Sequence, residues 1–504
     1  MQGRSATFAA TNGPWWLGGV TARLAVERLD LACRPGALLA ALTEEHDAVM
    51  LDSSALHEDF GRYTVLACRP LDVLTLRGRR LCDGSGKVLA QGNRALWRVL
   101  GRAFQAVTLT DRAERPRCPV PGWIGYVGYE VGRRVERLPG RARRDTPLPD
   151  LRLGFHDAVL VYDAACGTWT LWQLVFDSPP PGAGAGARAL GAICARAGGC
   201  TGGGPMDIAS TDAAVLPTAQ DARANFSPEA YRRAIARCID YIAAGDIFQV
   251  NLSQRFTVSP APSPLAIYDA LRRRNPAWFA AYLGFDAGRQ HCAVLSSSPE
   301  LFLRLDGRSV ITRPIKGTRR RVGREADDRA AAADLLASEK DNAELAMIID
   351  LLRNDLGRVC RYGTVRVVEA RCLETHPTVY HLVGTVRGEL VPGAGPAELL
   401  RATFPGGSIT GAPKIRAMEI IDELEPQARG VYTGCIGYVA VDGSCQWNIA
   451  IRTIVYHDCT AHIQAGGGIV ADSQPDAEYD ETLDKARAML EAIAQAQEKC
   501  KTVH

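Results

Sequence analysis

The sequence predicts mixed helix and strand arranged in two lobes, and three observations carry this. At 504 residues the chain exceeds what one hydrophobic core of ordinary size holds. Roughly the first third reads as mixed strand and loop, and the later part mixes alternating strand runs with segments of helical period. A Pro/Gly/Ala-rich stretch, poor in large apolar residues, separates the two regions.

In the first lobe, residues 1–177, the segments 48–53, 63–66, 123–129 and 158–162 read as strands. Pro179-Pro180-Pro181 opens a stretch over 178–225 that is expected to be a linker. The second lobe, 226–495, begins with Ser227 as an N-cap, Pro228 at the first helical position and Glu229 in the first turn. Tyr231, Ile235, Cys238, Ile239 and Ile242 then share one helical face, and Gly245 ends the helix. Residues 248–258 and 294–305 alternate as strands, and 327–356 reads as a long helical region. Residues 434–441 and 445–456 are strands joined by Asp442-Gly443, a hairpin signal, and Pro475 opens a last helix.

Charge and composition narrow the function. The 59 basic and 56 acidic residues nearly cancel, so no global field draws nucleic acid or an anionic membrane. No apolar run is long enough to cross a bilayer, and MQGRSATFAATNGPWW lacks the pattern of a signal peptide. The 15 cysteines contain no Cys-x-x-Cys pair, which argues against both a zinc site and a disulfide framework. A cytoplasmic small-molecule enzyme is expected.

Two motifs are imitations. Gly182-x-Gly184-x-x-Ala187 resembles a dinucleotide fingerprint, but three prolines separate it from the preceding strand, where a direct strand-to-helix turn is required. Gly198-Gly199-Cys200-Thr201-Gly202 imitates the cysteine elbow of a glutamine amidotransferase without a flanking strand or a downstream His-x-Glu. The chain is therefore expected not to release ammonia from glutamine itself.

Four carboxylates form two pairs of identical spacing, Asp341 with Glu344 and Glu478 with Glu481. Residues three apart on a helix share a face, and two such faces offer four hard oxygen donors suited to magnesium. Either pair alone is equally what a helix start favours through its dipole; both together favour metal. Arg452, inside an apolar run, is either paired structurally or aimed at a carboxylate. The glycine-rich turns 404–408 and 464–468 allow close backbone approach to a ligand. Lys316 stands among arginines in Arg313-Pro314-Ile315-Lys316-Gly317-Thr318. Neighbouring cations and burial would make its amine a nucleophile, whereas exposure would leave it a loop charge.

The strings IFQVNLSQRF, SSSPELFLRL, RPIKGTRRR, DLLRNDLGRV, FPGGSITGAPKIRAMEIIDELEP and IQAGGGIVADSQPDAEYDET resemble the chorismate-utilising family, which comprises anthranilate, aminodeoxychorismate, isochorismate and salicylate synthases. The match is dense over 227–492 and sparser in the first lobe, through MLDSS, GRYTVLACRP and GWIGYVGYE. The resemblance implies an α+β fold of antiparallel sheets packed face to face with helices outside. Both lobes would contribute strands, which makes 178–225 an insertion between them. Gln249 stands where isochorismate and salicylate synthases carry a water-activating lysine. Pro-Ile-Lys-Gly-Thr is similar to the aminodeoxychorismate synthases, with Lys316 adding covalently to the ring, rather than to the Pro-Ile-Ala-Gly-Thr of anthranilate synthases.

The remaining roles follow from the same resemblance. Glu300 is implied as the general acid and His381 as a pocket histidine near the ring. Glu344 and Glu478 are implied as direct Mg2+ ligands, with Asp341 and Glu481 holding its waters. Asp341 stands where some relatives have Glu. Gln249, Thr318, Ser408, Tyr432, Arg452 and the Gly468 backbone are implied around the substrate. The expected reaction joins chorismate to ammonia, channelled from a separate glutamine amidotransferase subunit, giving 4-amino-4-deoxychorismate.

Overall fold

The alternating runs resolve, in the computed structural model, into two large sheets. Residues 14–55, 57–111, 118–197, 222–376 and 379–502 are described. One sheet has 13 strands and the other 12. Val20–Leu29 and Val107–Leu109 pair in parallel, and the other ladders between these strands are antiparallel, each fixing which face of a strand meets the core.

The sheets lie face to face. Val49, Val65, Ala281, Leu283 and Val294 of the first pack with Ile124, Tyr126 and Ile436 of the second in one apolar cluster. Burial of each large apolar side chain contributes about 1.5–3 kcal/mol. Helices Pro35–Thr43, Ala185–Ala197, Pro264–Arg274 and Pro475–Thr502 cover the outside of the first sheet. Helices Asn93–Phe104, Glu339–Gly357 and Pro396–Thr403 cover the second.

The two sequence lobes share both sheets. Val49–Asp52 pairs with Phe279–Ala287, setting Asp52 opposite Ala280. Gly122–Val127 pairs with Cys435–Ala440, setting Gly122 opposite Ala440. The stretch read as a linker is in part folded, because Ala185–Ala197 forms a helix that buries Ala187, Ala189, Leu190, Ile193 and Cys194. Small residues there allow close packing on the sheet, which a count of large apolar residues overlooks. Gly184 sits at the start of that helix, its N–H donating to Asp157 Oδ2 at 2.6 Å. The Gly198–Gly202 string lies outside the described residues.

Ser227 caps Pro228–Ala243 as expected, its Oγ accepting the Ala230 N–H at 3.2 Å, and Gly245 adopts φ +79° just beyond the helix. Three segments expected to be continuous are broken. Residues 294–305 divide into Gln290–Ser298 in the first sheet and Leu301–Asp306 in the second, because Pro299 has no N–H for the ladder. Residues 445–456 divide likewise into Cys445–Asn448 in the second sheet and Thr453–His457 in the first. Arg452 is therefore not in a strand; it lies in the crossing segment at φ +51°. The long helix is two helices, Glu325–Ala337 and Glu339–Gly357, with Ser338 Oγ capping the second through Asp341 N–H at 3.2 Å.

The two sheet crossings run side by side. Ser297 N–H donates to the Arg452 carbonyl and Ile449 N–H to the Glu300 carbonyl, each at 3.0 Å. Ser298 Oγ donates to the Ile449 carbonyl at 2.6 Å.

Candidate active site

The site is assembled around these crossings. Glu300, directly after Pro299, is buried, and Ser408 Oγ donates to its Oε1 at 2.6 Å. Burial raises its carboxyl to about 7, against the lowering effects of the Ser408 bond and the Lys316 charge. A carboxyl with that value is protonated in about half of the molecules at neutral pH and can release the proton, as a general acid must.

Lys316 is not a solvated loop charge. It lies on the strand Ile315–Arg320 with its side chain 12% exposed and Nζ 3.5 Å from Glu344 Oε2. Gln249 Nε2 donates to the same Glu344 oxygen at 3.2 Å. Across from them runs the Gly466–Gly468 backbone of Thr460–Ile469. A Cβ on Gly468 would stand 2.3 Å from Gln249 Nε2 and 3.2 Å from Lys316 Nζ, so only glycine leaves this wall open. Gly317, at φ +72°, lets the strand pass Asp341, whose Cγ would lie 2.9 Å from a Cβ there.

Glu478 and Glu481 border the same wall beside Gly467, with Oε atoms 3.1 and 3.7 Å from where its Cβ would be. Burial pushes the Glu478 carboxyl up, and the Glu481 charge adds to this against a 2.7 Å hydrogen bond from Ser473. Burial would raise Glu481 too, but Lys485, Lys316 and Lys340 outweigh it and hold its carboxyl low. Each of the three glutamates faces a lysine: Glu344 faces Lys316, Glu478 faces Lys340 at 3.6 Å, and Glu481 is paired with Lys485. Paired carboxylates that draw counter-cations are the donor type a hard divalent ion takes. Among the described residues no three donors stand close enough to form a metal cluster by themselves. Asp341 turns to Arg319 Nη2 at 3.3 Å.

The other groups expected near the substrate extend from this centre. His381 Nδ1 is 2.9 Å from Thr318 Oγ1, and its imidazole is held down at about 3 by burial first, then by the His376 and Arg452 charges. It is neutral at physiological pH. Arg452 keeps part of its surface exposed, and desolvation lowers its guanidinium against the Tyr432 and Glu481 fields. An arginine with no bidentate carboxylate among the described residues is suited to receive one from a ligand. Tyr432, which is buried, lies 5.7 Å from the Arg429 guanidinium, which is itself bound to Glu425 at 2.7 Å. Lys340, Lys485, Ser473 and His376 were not singled out from sequence. Lys485 is four residues after Glu481 on one helix, a spacing that signals an ion pair; the others meet the site only through the fold.

The two sheets bring a buried carboxyl, a largely buried amine, paired acids and an arginine to one place, a set suited to chemistry on a small anionic molecule. The comparisons make this specific: residues 75–491 match the chorismate binding enzyme family, and the chain belongs to that family. It is 40% identical over 480 residues to anthranilate synthase component 1 of Cereibacter sphaeroides, covering 92% of each chain. It is 37% identical over 470 residues to aminodeoxychorismate synthase component 1 of Klebsiella aerogenes, covering 92% of this chain and 98% of that one. The crystal structure of anthranilate synthase component I from Streptococcus pneumoniae superposes with a TM-score of 0.68 at 30% identity, covering 86% of this chain and 94% of that one. The α+β fold of antiparallel sheets is thus that of this family, and the protein is a chorismate-utilising enzyme. No described helix is long and apolar enough to cross a membrane.

Proposed function

We propose that the protein is aminodeoxychorismate synthase component I, converting chorismate and ammonia to 4-amino-4-deoxychorismate. The observation that carries this is the placement of Lys316 Nζ between Glu344 and Gly468, inside the site and within the electrostatic reach of Glu300. A buried amine beside a proton donor supports covalent addition to the ring.

The neutral Lys316 amine attacks carbon 2 of chorismate while Glu300 gives its proton to the departing 4-hydroxyl, which leaves as water. The adduct nitrogen then gives its extra proton to the Glu300 carboxylate. Ammonia bonds to carbon 4 as the carbon–nitrogen bond to Lys316 breaks; Glu300 protonates the departing amine and takes a proton from the new ammonium, restoring the diene and the free amine. Arg452 and Tyr432 bind and orient carboxylate, and neutral His381, fixed through Thr318, packs near the ring. Glu344 and Glu478, backed by Asp341 and Glu481, are the residues that would hold magnesium. That ion would neutralise the ring carboxylate and make the conjugated system more electrophilic. Ammonia would come from a separate glutamine amidotransferase subunit, consistent with the "component 1" of the relatives' names.

The second reading is anthranilate synthase component I, favoured by the 40% identity to a protein of that name. It would also eliminate pyruvate and aromatise the ring. Mass spectrometry of the product from chorismate, magnesium and ammonium separates the two. Aminodeoxychorismate is expected from the wild type, with Lys316→Ala losing turnover far more than chorismate affinity. Anthranilate as the sole wild-type product would overturn the proposal.

A further inference from the structure

We propose that His376 is a positioning residue that holds the His381 imidazole in its working orientation. His376 is 4% exposed and sits in a sandwich of rings. On one side its ring lies 4.4 Å from the Trp278 ring at 33°. On the other it meets His381 nearly edge to face, with centroids 4.9 Å apart at 69°. Trp278 is itself backed by His57 at 4.3 Å and Phe60 at 6.4 Å.

The His376 Nε2 makes no hydrogen bond among the described residues but faces a buried ion pair. His376 Nε2 is 3.5 Å from Glu374 Oε2, and the other Glu374 oxygen is 2.5 Å from Arg313 Nη2. The His376 backbone is pinned at both ends, its N–H donating to the Val379 carbonyl at 2.9 Å and its carbonyl accepting from Arg321 at 2.8 Å. The His381 side chain has two tethers, Thr318 Oγ1 at its Nδ1 and the Gly317 backbone, and both come from the neighbouring strand Ile315–Arg320. Hydrogen bonds from one strand hold the edge of the ring and leave its tilt to packing. The flat ring of His376, backed by Trp278, supplies that packing. Orientation of this kind acts on the reacting complex, and a displacement near 1 Å costs about a hundredfold in rate.

The inference rests on the proposed function only in taking His381 as a residue of the chorismate pocket. Its test therefore reads total chorismate consumption by the full-length protein with magnesium and ammonium, whichever product forms. His376→Ala and His376→Leu are expected to lower kcat about tenfold to a hundredfold with KM changed less than about threefold. His376→Phe, which restores a flat ring against Trp278, is expected to stay within about threefold of wild type. Thermal midpoints identify any variant that fails to fold, and either of the two truncations suffices. Carbon-13 labelling of the histidines adds a second readout, with the His381 ring signal broadened or shifted in Ala and Leu variants and restored in Phe. Full activity in a folded Ala or Leu variant, or a Phe variant as impaired as Ala, would overturn the role of His376. Absence of any chorismate consumption by the wild type would instead defeat the proposed function.

Discussion

Glu300→Gln isolates the cost of keeping a general acid protonated. Burial moves the Glu300 carboxyl from an ordinary 4.5 to about 7. That gap corresponds to about 3 kcal/mol between the two protonation states. The folded value is raised above the unfolded one, so the contribution to stability is complete below 4.5 and is lost as pH climbs toward 7. At pH 8 the folded protein carries a buried charge that the unfolded chain solvates freely; at pH 5 it largely does not. Glutamine keeps the shape and cannot ionise. The variant should therefore gain about 2–3 kcal/mol more, relative to wild type, at pH 8 than at pH 5. Unfolding midpoints of both proteins at the two pH values measure this. Turnover should move oppositely, falling about 10²–10⁴-fold because the amide has no proton to give. Equal midpoint differences at both pH values would mean that Glu300 ionises like an exposed acid, and the reasoning would fail.

Three further outcomes follow from neighbouring contacts. Ser408→Ala removes the 2.6 Å hydrogen bond that favours the Glu300 carboxylate, so the basic limb of the pH–rate profile should rise by about one pH unit; a limb that stays or falls, measured at constant unprotonated ammonia, would contradict it. Glu344→Gln and Glu478→Gln should each abolish magnesium-dependent turnover and the heat of magnesium binding in calorimetry, with the fold intact; unchanged binding heat would remove these residues from the metal. The isolated chain should use ammonium but release no glutamate from glutamine until an amidotransferase subunit is added, which a glutamate assay checks directly.

What the sequence made legible was whatever depends on local pattern. Ser227, Pro228 and Gly245 bounded a helix because capping and φ preferences act within a turn. Tyr63–Ala67 and Ala158–Asp163 showed as strands because burial on both faces demands a short, continuous apolar run. The paired acids were visible through helical spacing, although Ser338, which starts the second of two helices and sets Asp341 in its first turn, was read through as helix interior. Contacts such as Lys340 with Glu478, or His376 with His381, join residues distant in sequence or across a hairpin and leave no periodic trace. Ala185–Ala197 was hidden for a different reason, since alanines and glycine bury little area each and mark no face.

The largest misreadings of continuity fall on residues of the candidate site, and the geometry explains why. Inside a ladder, each side chain must point to the intersheet core or to the covering helices. A reactive group that has to look along the sheets therefore needs an interruption. Glu300 has one after Pro299, where the chain leaves the first sheet for the second. Arg452 has one at φ +51°, where the chain returns. Lys316 lies after Pro314 and at a register shift whose other side is Thr318, with Gly317 at φ +72° between them. Buried residues flank each crossing on both sides because each enters a packed sheet, so the run of apolar and small residues continues in the sequence while the ladder does not. Restoring the ladder at Gly317 would test this dependence: Gly317→Ala adds a methyl 2.7 Å from Leu335 Cδ1 and 2.9 Å from Asp341 Cγ at a backbone angle that alanine disfavours. The strand would have to shift, carrying Lys316 Nζ away from Glu344.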